Sequence, residues 1–283
     1  MTSSQDSAGR WSDLDRPPLN APALRRALVL PDGLWTSFDV VESTGSTNSD
    51  LAARADELPE GAVLVAEEQT HGRGRLDRDW VAPARSGLFL SVLLKPAVPV
   101  HRWGWLPLLT GVAAATGLAK AAGTDLSLKW PNDLLVRVGA EERKTGGILA
   151  ERAGADGVVI GLGVNVTLRE DELPVPAAGS LLLADAVSTD RDTLLRAVLR
   201  SLEQWYEAWV RADGDPAASG LQDTYTAACA TLGRRVRADL PGERMLEGDA
   251  VAVDGDGRLV VATEGGGTEA VAAGDIVHLR AAD

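Results

Sequence analysis

At Leu232 the hydrophobic pattern of the chain changes period. From there on "RRVRADL", "DAVAVD", "RLVVAT" and "TEAVAAGDIVHLR" are short alternating runs, divided by Asp254-Gly255-Asp256-Gly257 and Gly265-Gly266-Gly267. Alternation sends successive side chains to opposite faces, so each run fits a half-buried strand, and the glycine-rich pieces fit turns. Roughly fifty residues of this kind predict a small β-barrel over 231–283.

Upstream the chain interleaves strand and helix patterns. Strands are expected at Thr36–Glu42, Ala62–Glu68 and Gly87–Pro96, then at "LSLKW", "DLLVRV", "KTGGILAE" and Gly157–Val166. The connection Gly139–Arg143 suits a hairpin. Helices are expected after Ser46 or Thr47, over Leu106–Ala122 and over Thr189–Val210, where Leu194, Val198, Leu202, Trp205 and Trp209 form one apolar stripe. Helices between strand runs, with a clustered hairpin, argue for a mixed α+β domain over 34–230. Residues 1–33 have no period and are expected to be a flexible tail with at most a short helix near Ala23–Val29.

The chain carries 41 acidic and 28 basic residues among 283, a formal charge of −13. Such a field repels polyanions, so general nucleic-acid binding is disfavoured. Cys229 is the single cysteine, so no intramolecular disulfide exists. No signal-peptide core is visible and no apolar stretch is expected to span a bilayer, which leads to the expectation of a cytoplasmic chain without a membrane partner. Lysine is rare: only Lys95, Lys120, Lys129 and Lys144 occur.

Four segments mix glycine with polar groups at strand ends: "STGSTN" (43–48), "THGRGRLDRDW" (70–80), "KWPND" with "KTGGIL" (129–133 and 144–149), and "GLGVN" (161–165). Gly72 and Gly74 let backbone approach a ligand and expose amides. Arg73 and Arg75 supply planar forks for carboxylate or phosphate, and Trp80 offers a flat face. Taken singly, each has a plain alternative: a charged turn for the arginines, a solvated Lys144, a structural turn at Asn132, and a strand-ending Asn165. No Walker-type loop occurs, "GLG" opens no helix, and His71, His101 and His278 are too scattered for a zinc site.

Together, in this order, the segments resemble the biotin–protein ligases. The family pattern is met by Ser46-Thr47-Asn48, by Gly72 to Trp80, by Lys129 to Asp133, by Lys144 with Gly147-Ile148-Leu149, and by Gly161 to Asn165. The likeness runs from about residue 36 to 281 and has no counterpart of the DNA-binding domain of the bifunctional members, so DNA binding is not expected. It implies a mixed-sheet catalytic domain of the class II aminoacyl-tRNA-synthetase type followed by a small SH3-like barrel.

The resemblance implies an ATP-dependent ligase that forms biotinyl-5′-AMP and passes biotin to a lysine of a biotin carboxyl carrier domain. Biotin, ATP and Mg²⁺ are the implied small molecules, the metal arriving with ATP and no protein metal site being identified. Ser46, Thr47, Asn48, Gln69, Gly72, Arg73, Arg75, Lys144, Gly147 and Ile148 would hold biotin. Arg75, Arg78, Trp80, Asn132, Lys144 and Asn165 would hold ATP. Lys144, Arg75 and Asp133 would act in catalysis, Asp133 either on the acceptor lysine or merely closing its turn. A lipoate–protein ligase and a Gly-Arg nucleic-acid binder are the rival readings. Monomer and homodimer both stay open, and loss of residues 1–33 is expected to leave ligation intact.

Overall fold

The computed structural model describes residues 15–240, 244–272 and 275–278. Its frame is a seven-stranded mixed sheet in the order β1-β2-β5-β9-β8-β7-β6. The strands are β1 (Ser37–Val41), β2 (Ala62–Ala66), β5 (Gly87–Leu94), β6 (Leu126–Lys129), β7 (Asp133–Val138), β8 (Glu141–Ala153) and β9 (Gly157–Asn165). Only β1 and β2 run parallel; every other neighbouring pair is antiparallel. Two two-residue strands, β3 (Gly72–Arg73) and β4 (Asp79–Trp80), form a separate hairpin.

β5, an interior strand beside the central β9, is buried along its whole length. Strand alternation divides its neighbour β9 cleanly. Val158, Ile160, Leu162 and Val164 join the main core with α3 (Leu106–Ala122) and α4 (Arg191–Arg211), whereas Val159 joins a smaller cluster with Leu51 and Ala55. Leu51 belongs to α2 (Thr47–Ala52), which is shorter than its alanine-rich sequence suggests. One face of the sheet is therefore sealed by long helices. Among the described residues, the other carries α2 and the β3–β4 hairpin.

Val100–Ala122 is long and apolar enough to cross a membrane, contrary to the expectation that no stretch reaches that length. It is the core turn and helix of this fold, and most of its apolar window is buried. One helix was not foreseen: α5 (Leu221–Ala228) is short and holds Thr224 and Thr226, poor helix formers that mask its pattern. Leu221 and Tyr225 bury it.

Residues 15–33 are not the flexible tail expected for 1–33; residues 1–14 of that stretch lie outside the described residues. Helix α1 (Ala21–Leu28) is capped by the Asn20 side chain and buries Leu24 and Leu28, with Leu19 beside them. Upstream, Arg191 donates to Pro17 O at 2.6 Å, and Leu19 N–H donates to Glu67 at 2.6 Å. Leu24 and Leu28 on one helix face, with Leu19 just before the helix, give this segment enough apolar surface to offset the cost of ordering it. Its removal would open the core instead of trimming a tail.

From residue 235 on, β10 (Arg235–Leu240), β11 (Arg244–Val253), β12 (Leu259–Ala262), β13 (Thr268–Val271) and β14 (Asp275–His278) make a barrel-like antiparallel sheet, ordered β13-β12-β11-β10-β14. Its inward residues, among them Val236, Ala250, Leu259 and Ile276, are continuous with the main core. Polar ties cross the seam as well. Trp130 Nε1 donates to Gly257 O, Trp105 Nε1 and Arg102 donate to Gly255 O, and Trp130 N–H donates to Thr231 Oγ1.

His278 sits in that seam, 3.1 Å from Thr231 Oγ1 through Nε2 and 3.2 Å from Arg234 through Nδ1. A guanidinium can only donate, so Nδ1 accepts and the imidazole must be neutral. Burial, then the charges of Lys129 and Arg234, depress its pKa from 6.5 to about 4, against an opposing pull from Glu142. In the unfolded chain the ring takes its proton near 6.5, so this site's stability is fully present above that value and is lost as pH falls toward about 4. Thermal unfolding of His278→Gln followed from pH 7 to 4 should show a shallower decline than wild type; parallel declines would exclude the seam histidine as a contributor.

Candidate functional site

The open face of the sheet becomes a pocket because three of its positions lack side chains. Gly161 and Gly163 on β9 share the site face, as the two-residue period requires, and Gly147 on β8 lies opposite Gly163. A methyl at Gly161 would stand 2.2 Å from Asn48 Oδ1, and one at Gly163 would stand 2.8 Å from the Trp80 ring. Gly147 has Trp80 at 3.2 Å and Lys144 Nζ at 3.5 Å from the same virtual atom. Helix α2 and the Trp80 indole thus rest against bare backbone.

Parity alone would turn Lys144 away from this face. β8 avoids that with a bulge: Leu134 pairs with Gly146 and Leu135 with Lys144, leaving Thr145 as an extra residue. The insertion switches the alternation, so Lys144 joins Gly147 on the pocket side. Thr145 itself is fully buried and donates its hydroxyl to Asn165 O at 3.1 Å. Lys144 Nζ then lies 2.6 Å from Asp133 Oδ1 and 5.9 Å from the centroid of Trp80.

The pocket has a neutral polar end and a charged end. At the neutral end, Thr47 N–H and hydroxyl both donate to Gln69 Oε1, at 2.9 and 3.1 Å. Ser91 Oγ donates to Asn48 Oδ1 at 2.6 Å and lies 2.7 Å from Thr47 Oγ1. Asn48 Nδ2 donates to Glu151 and to Leu149 O. Ser46, Thr47 and Asn48 are all buried, and such a network fixes each donor and acceptor in one orientation. At the charged end Arg73 is paired with Glu151, and Arg75 donates to Asn132 Oδ1 at 3.1 Å.

The hairpin carrying these arginines has backbone bonds of its own. Gly72 pairs with Trp80, Arg73 with Asp79, and Gly74 N–H donates to Arg78 O at 2.7 Å. Leu76 at the tip adopts a left-handed φ of 56° and is 65% exposed.

Most of the residues named from sequence meet here. Ser46, Thr47, Asn48, Gln69, Arg73, Arg75, Arg78, Trp80, Asn132, Asp133, Lys144, Gly147 and Ile148 line one pocket. Two do not. Gly72 lies outside the lining, and its missing side chain lets β3 and β4 pair, since a methyl would stand 2.5 Å from Trp80 O. Asn165 is buried outside the lining and donates to Gly179 O at 3.0 Å, so in this structure it fastens the chain after β9.

Sequence reasoning missed Ser91 and Glu151. Ser91 was detectable as the lone polar residue inside "GLFLSVLL". Glu151 lies four residues beyond Gly147, hence on the same strand face. Among the described residues no group of three or more His, Cys, Asp or Glu side chains is placed to hold a metal ion.

Comparison with known proteins follows this geometry. The chain is 43% identical over 271 residues to the biotin–[acetyl-CoA-carboxylase] ligase of Mycobacterium tuberculosis, covering 94% of this chain and 97% of that one. The chain belongs to the biotin protein ligase family. Residues 37–165 match the Biotin/lipoate A/B protein ligase family, and residues 231–279 match the Biotin protein ligase C terminal domain. The bifunctional ligase/repressor BirA of Bacillus subtilis is 33% identical over 81% of this chain and 69% of its own length. Among solved structures, the Aquifex aeolicus biotin protein ligase in complex with biotin and ATP superposes with a TM-score of 0.69 at 26% identity, over 87% of this ligase and all of that chain.

The glycine face of the ligase gives a direct test. Gly161→Ala must displace Asn48 or the backbone, which would break the Ser91–Asn48–Glu151 network. Biotin affinity by calorimetry should fall by about tenfold or more, as for loss of a buried hydrogen bond, with the fold retained by circular dichroism. Unchanged affinity would show that the network is not the biotin contact.

Proposed function

We propose that this ligase activates biotin with ATP at the pocket framed by α2, β8, β9 and the β3–β4 hairpin, and then transfers it to a lysine of a biotin carboxyl carrier domain. The observation that carries this reading is the pairing, in one cavity, of the uncharged hydrogen-bonding side chains Thr47, Asn48 and Gln69, backed by Ser91, with a cluster of arginine and lysine. Biotin has the same two ends: a neutral ureido head and a carboxylate.

The head suits Ser46, Thr47, Asn48 and Gln69, which offer fixed donors and acceptors without charge. The tail lies over Gly147 and Trp80 toward Arg73, Arg75 and Lys144. MgATP brings its α-phosphate to the same cations, with Arg78, Trp80 and Asn132 on the nucleotide side. A carboxylate is already ionised at neutral pH, so the first step needs alignment and charge neutralisation more than a base. The carboxylate oxygen attacks the α-phosphorus, the bond to the β-phosphate oxygen breaks, and pyrophosphate leaves with its magnesium.

Lys144 is held by Asp133 in the ligand-free site. An acyl-phosphate arriving between the cations draws Nζ toward its own oxygens, and Asp133 is released. It is then the carboxylate placed to accept the proton that the acceptor lysine sheds. The neutral amine attacks the biotinyl carbonyl, forming the amide and expelling AMP.

Pyrophosphate exchange into ATP tests the reading. Exchange should require biotin and should not occur with lipoate in its place; exchange with lipoate alone would overturn it. Lys144→Ala should slow biotinyl-adenylate formation about a hundredfold or more, the usual cost of one preorganised donor. Arg75→Ala should let the adenylate escape faster from the enzyme in a filter-retention assay.

A further inference from the structure

After β9 the chain makes a turn at Glu170–Glu172 and then runs past the start of β8. There it brackets the backbone of Lys144. Lys144 N–H donates to Ala177 O at 2.9 Å, and Gly179 N–H donates to Lys144 O at 2.7 Å. Position of the 167–179 segment is thus position of the residue whose Nζ faces the pocket. Leu168 and Ala178 bury its two ends, whereas Glu170, Asp171, Pro174 and Val175 between them are exposed, so its middle has little apolar anchorage.

Charge holds it from two sides. Arg143, adjacent to Lys144 in sequence, donates to both carboxylate oxygens of Glu170 at 2.9 and 3.0 Å. On the far side stands Arg16, whose Nε donates to Thr167 Oγ1 at 3.1 Å and whose terminal nitrogen donates to Thr167 O at 2.9 Å and pairs with Glu172. Burial would raise the Glu172 carboxyl, but Arg16 and the Arg169 N–H outweigh it and hold its pKa below the ordinary value. Arg16 is itself anchored through the next residue. Arg191, paired with Glu67 in the interior at 5% and 7% exposure, donates to Pro17 O.

Surface ion pairs of ordinary kind contribute little. Arg16 differs: its side chain is 12% exposed, and one planar fork meets three acceptors. It joins the N-terminal segment to a turn about 150 residues later. The network at the biotin head, built from Thr47, Asn48, Gln69, Ser91 and Glu151, has no bond to this segment among those described.

We propose that residues 15–19 form a strap that positions the 167–179 segment, and through it Lys144, for the nucleotide half of the reaction, with Arg16 as the positioning residue. The nucleotide assignment rests on the ligase reading above; the strap itself does not. Weakening it should loosen the charged end of the site, where Lys144 stands, and leave the network at the biotin head intact.

Arg16→Ala and Arg16→Lys test this in the full chain. Hydrogen exchange at the Lys144 and Gly179 amides, measured without ligand, should accelerate in Arg16→Ala. KM for ATP and the release rate of biotinyl-adenylate should rise about five- to tenfold, the scale of coupling through a packed segment, while KM for biotin, whose ureido head lies away from Lys144, rises clearly less. Arg16→Lys keeps the charge but loses the fork and should recover part of the effect. Unchanged amide exchange would overturn the strap. Equal rises in both KM values with a lowered Tm would also overturn it, since they would mark general loosening. Should the wild type make no biotinyl-adenylate, the ligase reading fails, and the amide exchange still decides the strap.

Discussion

The site depends on which way the side chains of two strands point. β8 and β9 must give apolar residues to the helices on one side, and a two-residue period then dictates what the other side can show. In β9 the period is kept, so Gly161 and Gly163 fall together on the open face. In β8 it is broken once, at Thr145, and that one insertion places Lys144 beside Gly147 while Ile148 still reaches the core. A bulge disrupts local pairing, and the buried hydroxyl of Thr145 on Asn165 O helps offset the loss.

The cations of the site are tethered to partners that a substrate can replace. Lys144 rests on Asp133 and Arg73 on Glu151, both pairs partly exposed. Pairs of this kind exchange with water and with one another at small cost, so an incoming carboxylate or phosphate meets cations already oriented but not locked. The contrast with Arg191 and Glu67 is instructive. That pair is in the interior, and removing either partner would strand a charge there. One kind of ion pair suits a site and the other suits a scaffold.

Much of this was legible in the chain. The change of period at Leu232, the long stripe from Leu194 to Trp209 and the helix Leu106–Ala122 are patterns repeated over many residues, and they fixed the main elements. Thirteen of the site residues that the family resemblance implied line the same pocket, although taken singly the four segments did not mark them out. What stayed hidden depends on distant partners. Ser91 is polar within an apolar run, and only the approach of α2 shows why. Residues 15–33 looked loose because proline, aspartate and alanine leave their leucines without a regular period, and their docking becomes visible only with the face of the sheet that receives them. The bulge leaves no local mark at all: "KTGG" reads the same with either parity.

Trp130 carries one more implication. Its indole reaches across the seam to the turn at Gly257 while Asn132 and Asp133, two and three residues on, face the pocket. The loop "KWPND" therefore belongs to both sheets at once. In an engineering setting the C-terminal sheet is not a detachable module: a sheet grafted from another family member would have to bring a turn of matching length and carbonyl position, or the graft would leave an indole without its acceptor one short step from the reacting groups.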